Sequence, residues 1–393
     1  MVSLSSLDIG GSGIRELPSP IAYLTGLRRL TARGCENLTN ISVHHIVGLQ
    51  HLQDVDFGER PKLVIESQLL STNLNDNGII LALPELEYLC LDGCNLSESD
   101  FLVPLDCWST LSNLDLSRNN FVSLPDCISK FLNLHTLRLS GCKRLREIPQ
   151  VLPPDLIYLY LDDCTSLEKI SKLPWMLECL DLTNCFSLSD DEMEKLENNL
   201  LNQDSLRRFR LQVFYPGNEV PKWFSYTFKH PKLVGGSEFS FEIPLNLQVG
   251  EKLLGFALSF VLEKSTYGPR FNYILINGIE KVEPPITDAN LDEQQRWRLE
   301  DICQDAFRIE SVDRNIMSAE PIEATHVWLG LVNLVEQKRQ WLGDTCQVIF
   351  YFSESVCIKS CGVHLLASHI VDDECDDLLK WFSSDIVDDE YDE

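Results

Sequence analysis

Leucines mark this chain at intervals too long for one helix or one strand. The stretch LHTLRLSGCKRLREIPQ, residues 134–150, alternates like a strand at Leu137 and Leu139, then breaks that period at Gly141–Cys142. A change of period inside one segment points to a repeating unit. Further copies begin at Leu4, Leu27, Leu52, Leu86, Leu111, Leu156 and Leu177. Their strand centres are Leu7, Leu30, Val55, Leu89, Leu114, Leu137, Leu159 and Leu180, at steps of 23, 25, 34, 25, 23, 22 and 21 residues. The step of 34 carries an insertion between Phe57 and Leu86.

The spacing and the L-x-x-L-x-L-x-x-N/C-x-L pattern are those of leucine-rich repeats. No repeat can bury its leucines alone, so neighbours stack. Residues 1–188 therefore predict an α/β leucine-rich-repeat solenoid of about eight repeats. The fifth residue after each centre is Ser12, Cys35, Arg60, Cys94, Asn119, Cys142, Cys164 or Cys185. This is a ladder position, where a small side chain turns inward to the adjacent coil, and cysteine suits it. Arg60 does not fit, in keeping with an irregular third repeat. The residues alternating with the buried leucines face the concave sheet. They nominate Tyr88, Asp92, Asp115, Arg138, Tyr158, Tyr160, Asp162 and Asp181 for partner binding. Tyrosine and arginine dominate interface energetics. The plainer alternative is that Arg138 pairs with Asp115 in a weak, solvated ion pair.

The repeats stop after Leu188. Ser189, with Glu192 three residues on, predicts a capped helix with Met193, Leu196, Leu200 and Leu201 on one face, closing the solenoid within 189–207. Residues 208–369 hold short aromatic and β-branched runs separated by turn residues, the signature of an all-β antiparallel sandwich. The polar stretch 282–320 reads as a long loop with a helix around Asp292–Phe307. Segment 370–393 is an acidic, disordered tail: residues 371–393 set eleven acids against Lys380. Trp381, Phe382 and Tyr391 give it a second reading, an acidic-aromatic interaction segment.

A net charge of −27 argues against nucleic acid as the direct ligand. The fourteen cysteines are scattered and the start, MVSLSSLDIGG, lacks a basic and apolar leader. They read as reduced thiols in a cytoplasmic or nuclear protein, and sequons at Asn37, Asn40 and Asn95 as chance. No apolar run approaches the ~18 residues of a membrane helix. The first repeat begins at residue 4 without a cap, so the expectation is the C-terminal portion of a longer receptor or a truncated relative.

Two motifs carry a resemblance. Tyr215–Phe228, YPGNEVPKWFSYTF, resembles the P-G-x-E-[IV]-P-x-W-F motif through Pro216, Gly217, Glu219, Pro221, Trp223 and Phe224. Ile358–Leu366, IKSCGVHLL, looks like the K-x-C-G-V-x-L-[LV] strand, with Cys361, Gly362 and Val363, and HVWL at 326–329 is similar to the preceding signature. Both belong to the post-repeat domain of plant disease-resistance receptors of the Toll/interleukin-receptor nucleotide-binding class. The resemblance implies a pathogen-effector sensor, binding an effector or host protein and contacting a nucleotide-binding receptor domain. The family's phosphate loop, G-x-x-x-x-G-K-[ST], has no counterpart in the chain.

No enzyme, cofactor or metal is expected. Neither H-E-x-x-H nor G-x-S-x-G occurs. Cys357 and Cys361, four apart in a strand, would stand ~13 Å from one another, with His364 on the other face. Trp223 and Phe224 are expected to plug one end of the sandwich core, the alternative being ligand contact. The rival to a sensor is a structural adaptor for host proteins.

Overall fold

The computed structural model describes residues 4–38, 49–59, 83–96, 110–124, 126–170, 172–200, 210–231, 238–245, 251–263, 271–277, 279–281, 306–310, 322–333, 339–341, 345–352 and 357–369. Arg60, Leu201, the proposed helix up to residue 305 and the acidic tail lie outside these residues. Each repeat contributes a three-residue strand: β1 Ser6–Asp8, β2 Arg29–Thr31, β3 Asp54–Asp56, β4 Tyr88–Cys90, β5 Asn113–Asp115, β6 Thr136–Arg138, β7 Tyr158–Tyr160 and β8 Cys179–Asp181. They pair in parallel, centre to centre, Leu7 with Leu30 through to Leu159 with Leu180. Every described leucine of the stacked interior from Leu27 to Leu182 is buried within one continuous core. Each such side chain contributes roughly 1.5–3 kcal/mol relative to exposure.

A regular turn follows every strand. The fourth residue after each centre has positive φ: Gly11, Gly34, Glu59, Gly93, Arg118, Gly141, Asp163 and Asn184, between 55° and 68°. That left-handed step redirects the chain so that the next residue, the ladder, points inward. The thiols of Cys35, Cys94, Cys142, Cys164 and Cys185 donate to Ile9 O, Phe57 O, Leu116 O, Leu139 O and Leu161 O at 3.0–3.3 Å. Asn119 does the same work with more bonds, donating to Leu91 O at 2.9 Å and accepting from Leu96 N at 2.9 Å. Burial pushes the Cys142 thiol up to about 12, so it stays protonated as a donor.

The helix Asp190–Leu200 follows, with Met193, Leu196 and Leu200 buried against the last repeat and Ser189 Oγ accepting from Glu192 N at 3.3 Å. The remaining strands are β9 Arg210–Pro216, β10 Tyr226–Lys229, β11 Glu238–Pro244, β12 Glu251–Leu262, β13 Phe271–Asn277, β14 Ile279–Lys281, β15 Ala306–Glu310, β16 His326–Asn333, β17 Arg339–Trp341, β18 Thr345–Phe352 and β19 Ile358–His369. Residues 306–310 are thus strand, where a helix was expected to end; there Ala306–Glu310 pairs antiparallel with β13.

β9 belongs to both regions. It lies parallel to β8 and antiparallel to β16, so one sheet runs β1 to β9 and on through β16, β12, β19 and β10. Its alternation serves two cores: Leu211, Val213 and Tyr215 join the repeat core, while Phe214 joins a second cluster. That second cluster fills the space between this sheet and the four-stranded sheet β11-β18-β13-β15. Phe260 stacks on Trp328 at 4.8 Å and meets Phe350 of the facing sheet edge-on at 6.1 Å.

The two motifs of the post-repeat region touch. Gly362 lies where a Cβ would come within 2.7 Å of Val220, 2.9 Å of Phe224 and 3.1 Å of Tyr226 O. Lys359 Nζ donates to Asn218 O at 3.0 Å, tying the same two segments by their polar ends. Trp223 and Phe224 pack on the repeat-core side of the sheet, beside His364, and not between the two sheets as expected. The reason is register: Gly362 opposes Thr227 in β10, and its missing side chain leaves the slot that Phe224 fills.

Two outcomes test this packing. Cys164→Arg should cost several kcal/mol in a denaturant melt, because an unpaired charge enters the core; intact-mass analysis without reductant should show free thiols at the ladder. Gly362→Ala should cost ~1–3 kcal/mol, and adding Val220→Ala should recover part of it. Strictly additive losses would place the two residues out of contact.

Candidate functional site

The concave face divides into two halves. Toward the N-terminus, Arg29, Thr31, Asp54, Asp56, Glu87, Tyr88, Ser112 and Asn113 line an open depression of about 400 Å³. Arg29 Nε donates to Asp54 Oδ2 at 2.7 Å across neighbouring strands. Tyr88 is half-buried in its wall, and burial raises its phenol well above the usual range. Of the eight nominated residues, Tyr88 lies in this depression and Asp115 beside it, level with Cys90 in the next strand.

Toward the C-terminus the face closes. Tyr160, Asp162 and Asp181, nominated as solvent-facing, are buried at 1%, 5% and 1% exposure. The lane that carries Asp181 continues in register into Phe214 of β9, which already belongs to the core between the sheets. Tyr160 is sandwiched on the way, with the Arg138 guanidinium 4.1 Å above its ring and Cys179 packed beside it. Arg138 therefore covers an aromatic ring and forms no ion pair with Asp115 among the described residues. Tyr158, two residues before Tyr160, stays half-exposed.

The aspartates of this lane have a structural task. Asp8, Asp56, Asp115 and Asp181 each accept the N–H two residues on, from Gly10, Gly58, Ser117 and Thr183, at 2.8–2.9 Å. These are side-chain-closed turns that start the left-handed step. Burial raises the Asp115 carboxyl, and the Ser117 bonds oppose the shift.

Asp92 was also nominated, and it is buried at 5% exposure for a different reason. It accepts from Arg33 Nη2 at 2.8 Å and from Arg118 Nε at 2.6 Å. Glu59 Oε1 binds the same two guanidiniums at 3.1 and 3.3 Å. Arg118 first, and Arg33 second, hold the Glu59 carboxyl below its usual range. This ring ties four repeats along one rim. Spacing alone did not reveal it, because Arg33 and Arg118 occupy different repeat positions, third and fourth after their centres.

His326 seals the two regions. Its Nε2 accepts the Asn184 N–H at 2.9 Å, so Nδ1 carries the proton toward Ala324 O at 3.0 Å. The ring stacks on Phe214 at 5.2 Å and meets Phe186 edge-on at 5.9 Å. Asn184, the left-handed residue of the last repeat, also accepts Glu323 N at 3.2 Å and donates to Asp163 at 2.8 Å. Of the former metal suspects, Cys357 donates to Glu263 at 3.1 Å, Cys361 lies in the inter-sheet core, and His364 packs on Trp223. Pro216 pairs with His326, Gly217 lies against Val327, Glu219 is exposed, Pro221 is buried, and Val363 joins the inter-sheet core.

Fold and seam together define a leucine-rich solenoid fused to an antiparallel post-repeat domain. Residues 7–191 match the profile described as disease resistance protein RPS4B-like leucine-rich repeats, and residues 215–372 match the C-JID domain. The chain thus carries, in the same order, the repeat and post-repeat regions of plant disease-resistance proteins of the Toll/interleukin-receptor nucleotide-binding class, and belongs to that family. It is 29% identical to TMV resistance protein N of Nicotiana glutinosa over 275 residues, 62% of this chain and 23% of that one. Against Disease resistance protein RPS4 of Arabidopsis thaliana it is 24% identical over 356 residues, 84% of this chain and 25% of the relative. The chain therefore spans about a quarter of the length of these relatives. The solved leucine-rich repeat domain of the type III effector XopL aligns at 21% identity with a TM-score of 0.37, over 48% of this chain and 71% of that one. No helix among the described residues is long and apolar enough to cross a membrane.

Burial lowers the His326 pKa below its ordinary value. The unfolded chain then binds a proton at about pH 6.5 that the folded chain refuses, so stability is full above that pH and lost as pH falls through it. Denaturant melts should show a steeper loss between pH 7 and 5.5 in the native chain than in His326→Gln, by up to about 1.4 kcal/mol per pH unit. Identical slopes would exclude His326 as the titrating group.

Proposed function

We propose that the chain is a non-enzymatic protein-recognition module of the plant immune system, about eight repeats long and closed by a β-sandwich. In this reading it senses a pathogen effector or the host protein an effector alters. It works in the cytoplasm or nucleus, needs no cofactor, and engages a nucleotide-binding receptor domain. The supporting observation is the open depression at Arg29, Asp54, Tyr88 and Asn113, facing the same side as the post-repeat domain's second sheet. Arginine and tyrosine there present large contact area with few rotamers to lose. Toward the C-terminus the concave lane is largely taken up by buried Tyr160, Asp162 and Asp181, which favours the depression as the partner's site. Domain limits of 1–188 for the repeats, 189–207 for the closing helix and 208–369 for the sandwich complete the reading.

The test pairs binding with stability. Arg29→Ala with Tyr88→Ala should weaken a cognate effector or host partner by at least ~2 kcal/mol in calorimetric titration. The melt of that variant should move by about 1 kcal/mol or less, whereas Tyr160→Ala should lose ~3 kcal/mol by emptying a buried site. Unchanged affinity in the first variant would remove the depression from the interface. NAD cleavage or ATP hydrolysis that co-purifies with the chain would overturn the non-enzymatic reading.

A further inference from the structure

The back of the solenoid carries a patch opposite in sign to the chain. Lys143, Arg144, Arg146, Lys169 and Lys172 are all exposed. Stacking brings them together: Glu147 bridges to Lys169, and the N–H groups of Glu168 and Lys169 both donate to Arg146 O, at 2.8 and 3.3 Å. Glu147 and Glu168 are exposed beside them, and Glu192 at the start of the closing helix lies close enough to Lys169 to feel its charge, so five cations meet three carboxylates in a chain of net charge −27. None of the five forms an ion pair among the described residues. Apolar side chains stand exposed in the same repeats, Val151 at 64% and Trp175 at 57%.

We propose that this basic, aromatic-edged face holds the chain's own acidic segment, residues 371–393. That segment has eleven acids against one lysine, with Trp381, Phe382 and Tyr391 spaced among them. Charge matches charge, and its aromatics match Val151 and Trp175. The reach suffices. β19 ends at His369, six strands from β6 in the shared sheet, which is roughly 29 Å at ordinary strand spacing. The 24 residues beyond it can extend roughly 80 Å. Tethering supplies a high effective concentration, so individually weak exposed pairs are enough. The contact is reversible and salt-sensitive, and it leaves the concave depression free. It stands independently of the recognition reading.

Carbodiimide coupling, which joins a lysine amine to a carboxylate, tests it on the full chain. An equal mixture of light and heavy isotope-labelled chains at low salt should give links from Lys143, Lys169 or Lys172 to acids within 372–393, each within one copy. Arg144→Glu with Arg146→Glu, at an unchanged melting temperature, should cut their yield at least ~fivefold, as should high salt. No such links, links indifferent to charge reversal, or links between light and heavy copies would overturn the proposal. Should that variant fold poorly, a chain ending at His369 should bind a synthetic 371–393 peptide at low salt, measured by fluorescence polarisation. Absence of that binding overturns it as well.

Discussion

The structure hinges on one strand with two kinds of neighbour. A parallel solenoid that stopped at β8 would leave an unpaired edge and an open row of leucines. β9 covers both, bonding in parallel to Cys179–Asp181 and antiparallel to β16. Its period of two sends Leu211, Val213 and Tyr215 to the repeat core and Phe214 to the inter-sheet core. A slip of one residue would exchange these sets and unmake both cores at once. The two regions therefore meet through one continuous sheet.

Turn chemistry is the second constraint. Every described repeat makes the same left-handed step, and glycine occupies it in only four of the eight. For other L-residues that conformation costs roughly 1–2 kcal/mol. The four exceptions give something back at the rim. Glu59 and Arg118 enter the ion ring around Asp92, Asn184 binds the post-repeat segment, and Asp163 receives the Asn184 amide. Gly93, between Glu59 and Arg118, takes the same step at φ 63° without strain, and a Cβ there would make only ordinary contacts of 3.7 Å or more with them. Strain and side-chain bonding thus occur at the same residues, and the rim is tied across repeats where it departs from glycine.

The repeats were legible because their information is periodic and short-range. Leucine spacing shows which side chains enter the core, and the ladder positions follow by counting. The same counting misjudged Asp162 and Asp181, and it did not foresee that Asp115, still partly exposed, closes its own turn. A period reports which side a residue leaves from, but not whether its carboxylate bends back onto its own turn, as Asp115 and Asp181 do at 2.9 Å. Tyr160 was misread because its cover includes Arg138 one strand away and a lane that runs into β9, contacts no local pattern encodes. His326 read as the first residue of a strand signature. Its partner Asn184 is 142 residues earlier, and only the assembled seam reveals its role. Gly362 and Val220 are likewise 142 residues apart in sequence and adjacent in space.

Charge on such a scaffold becomes binding chemistry only after the fold's own needs are subtracted. Asp8, Asp56, Asp115 and Asp181 close turns, Asp92 and Glu59 are taken by Arg33 and Arg118, and Asp162 accepts the Ser140 hydroxyl at 2.5 Å. What remains on the concave side is chiefly the residue just before each centre: Ser6, Arg29, Asp54, Tyr88, Asn113 and Tyr158, all at least partly exposed. Arg29 and Asp54 bond to each other across neighbouring strands, so changing them alters the surface without touching the turn aspartates or the ladder. Thr136 and Cys179 occupy the same position and are buried, the first beneath its neighbours and the second beside Tyr160. On the proposed reading, a partner would meet the first residue of each three-residue strand, while the second enters the core and an aspartate at the third closes the turn. The two-residue period of the strand keeps the core residue apart from both outward ones, so substitutions at the first position leave the stacked leucines in place.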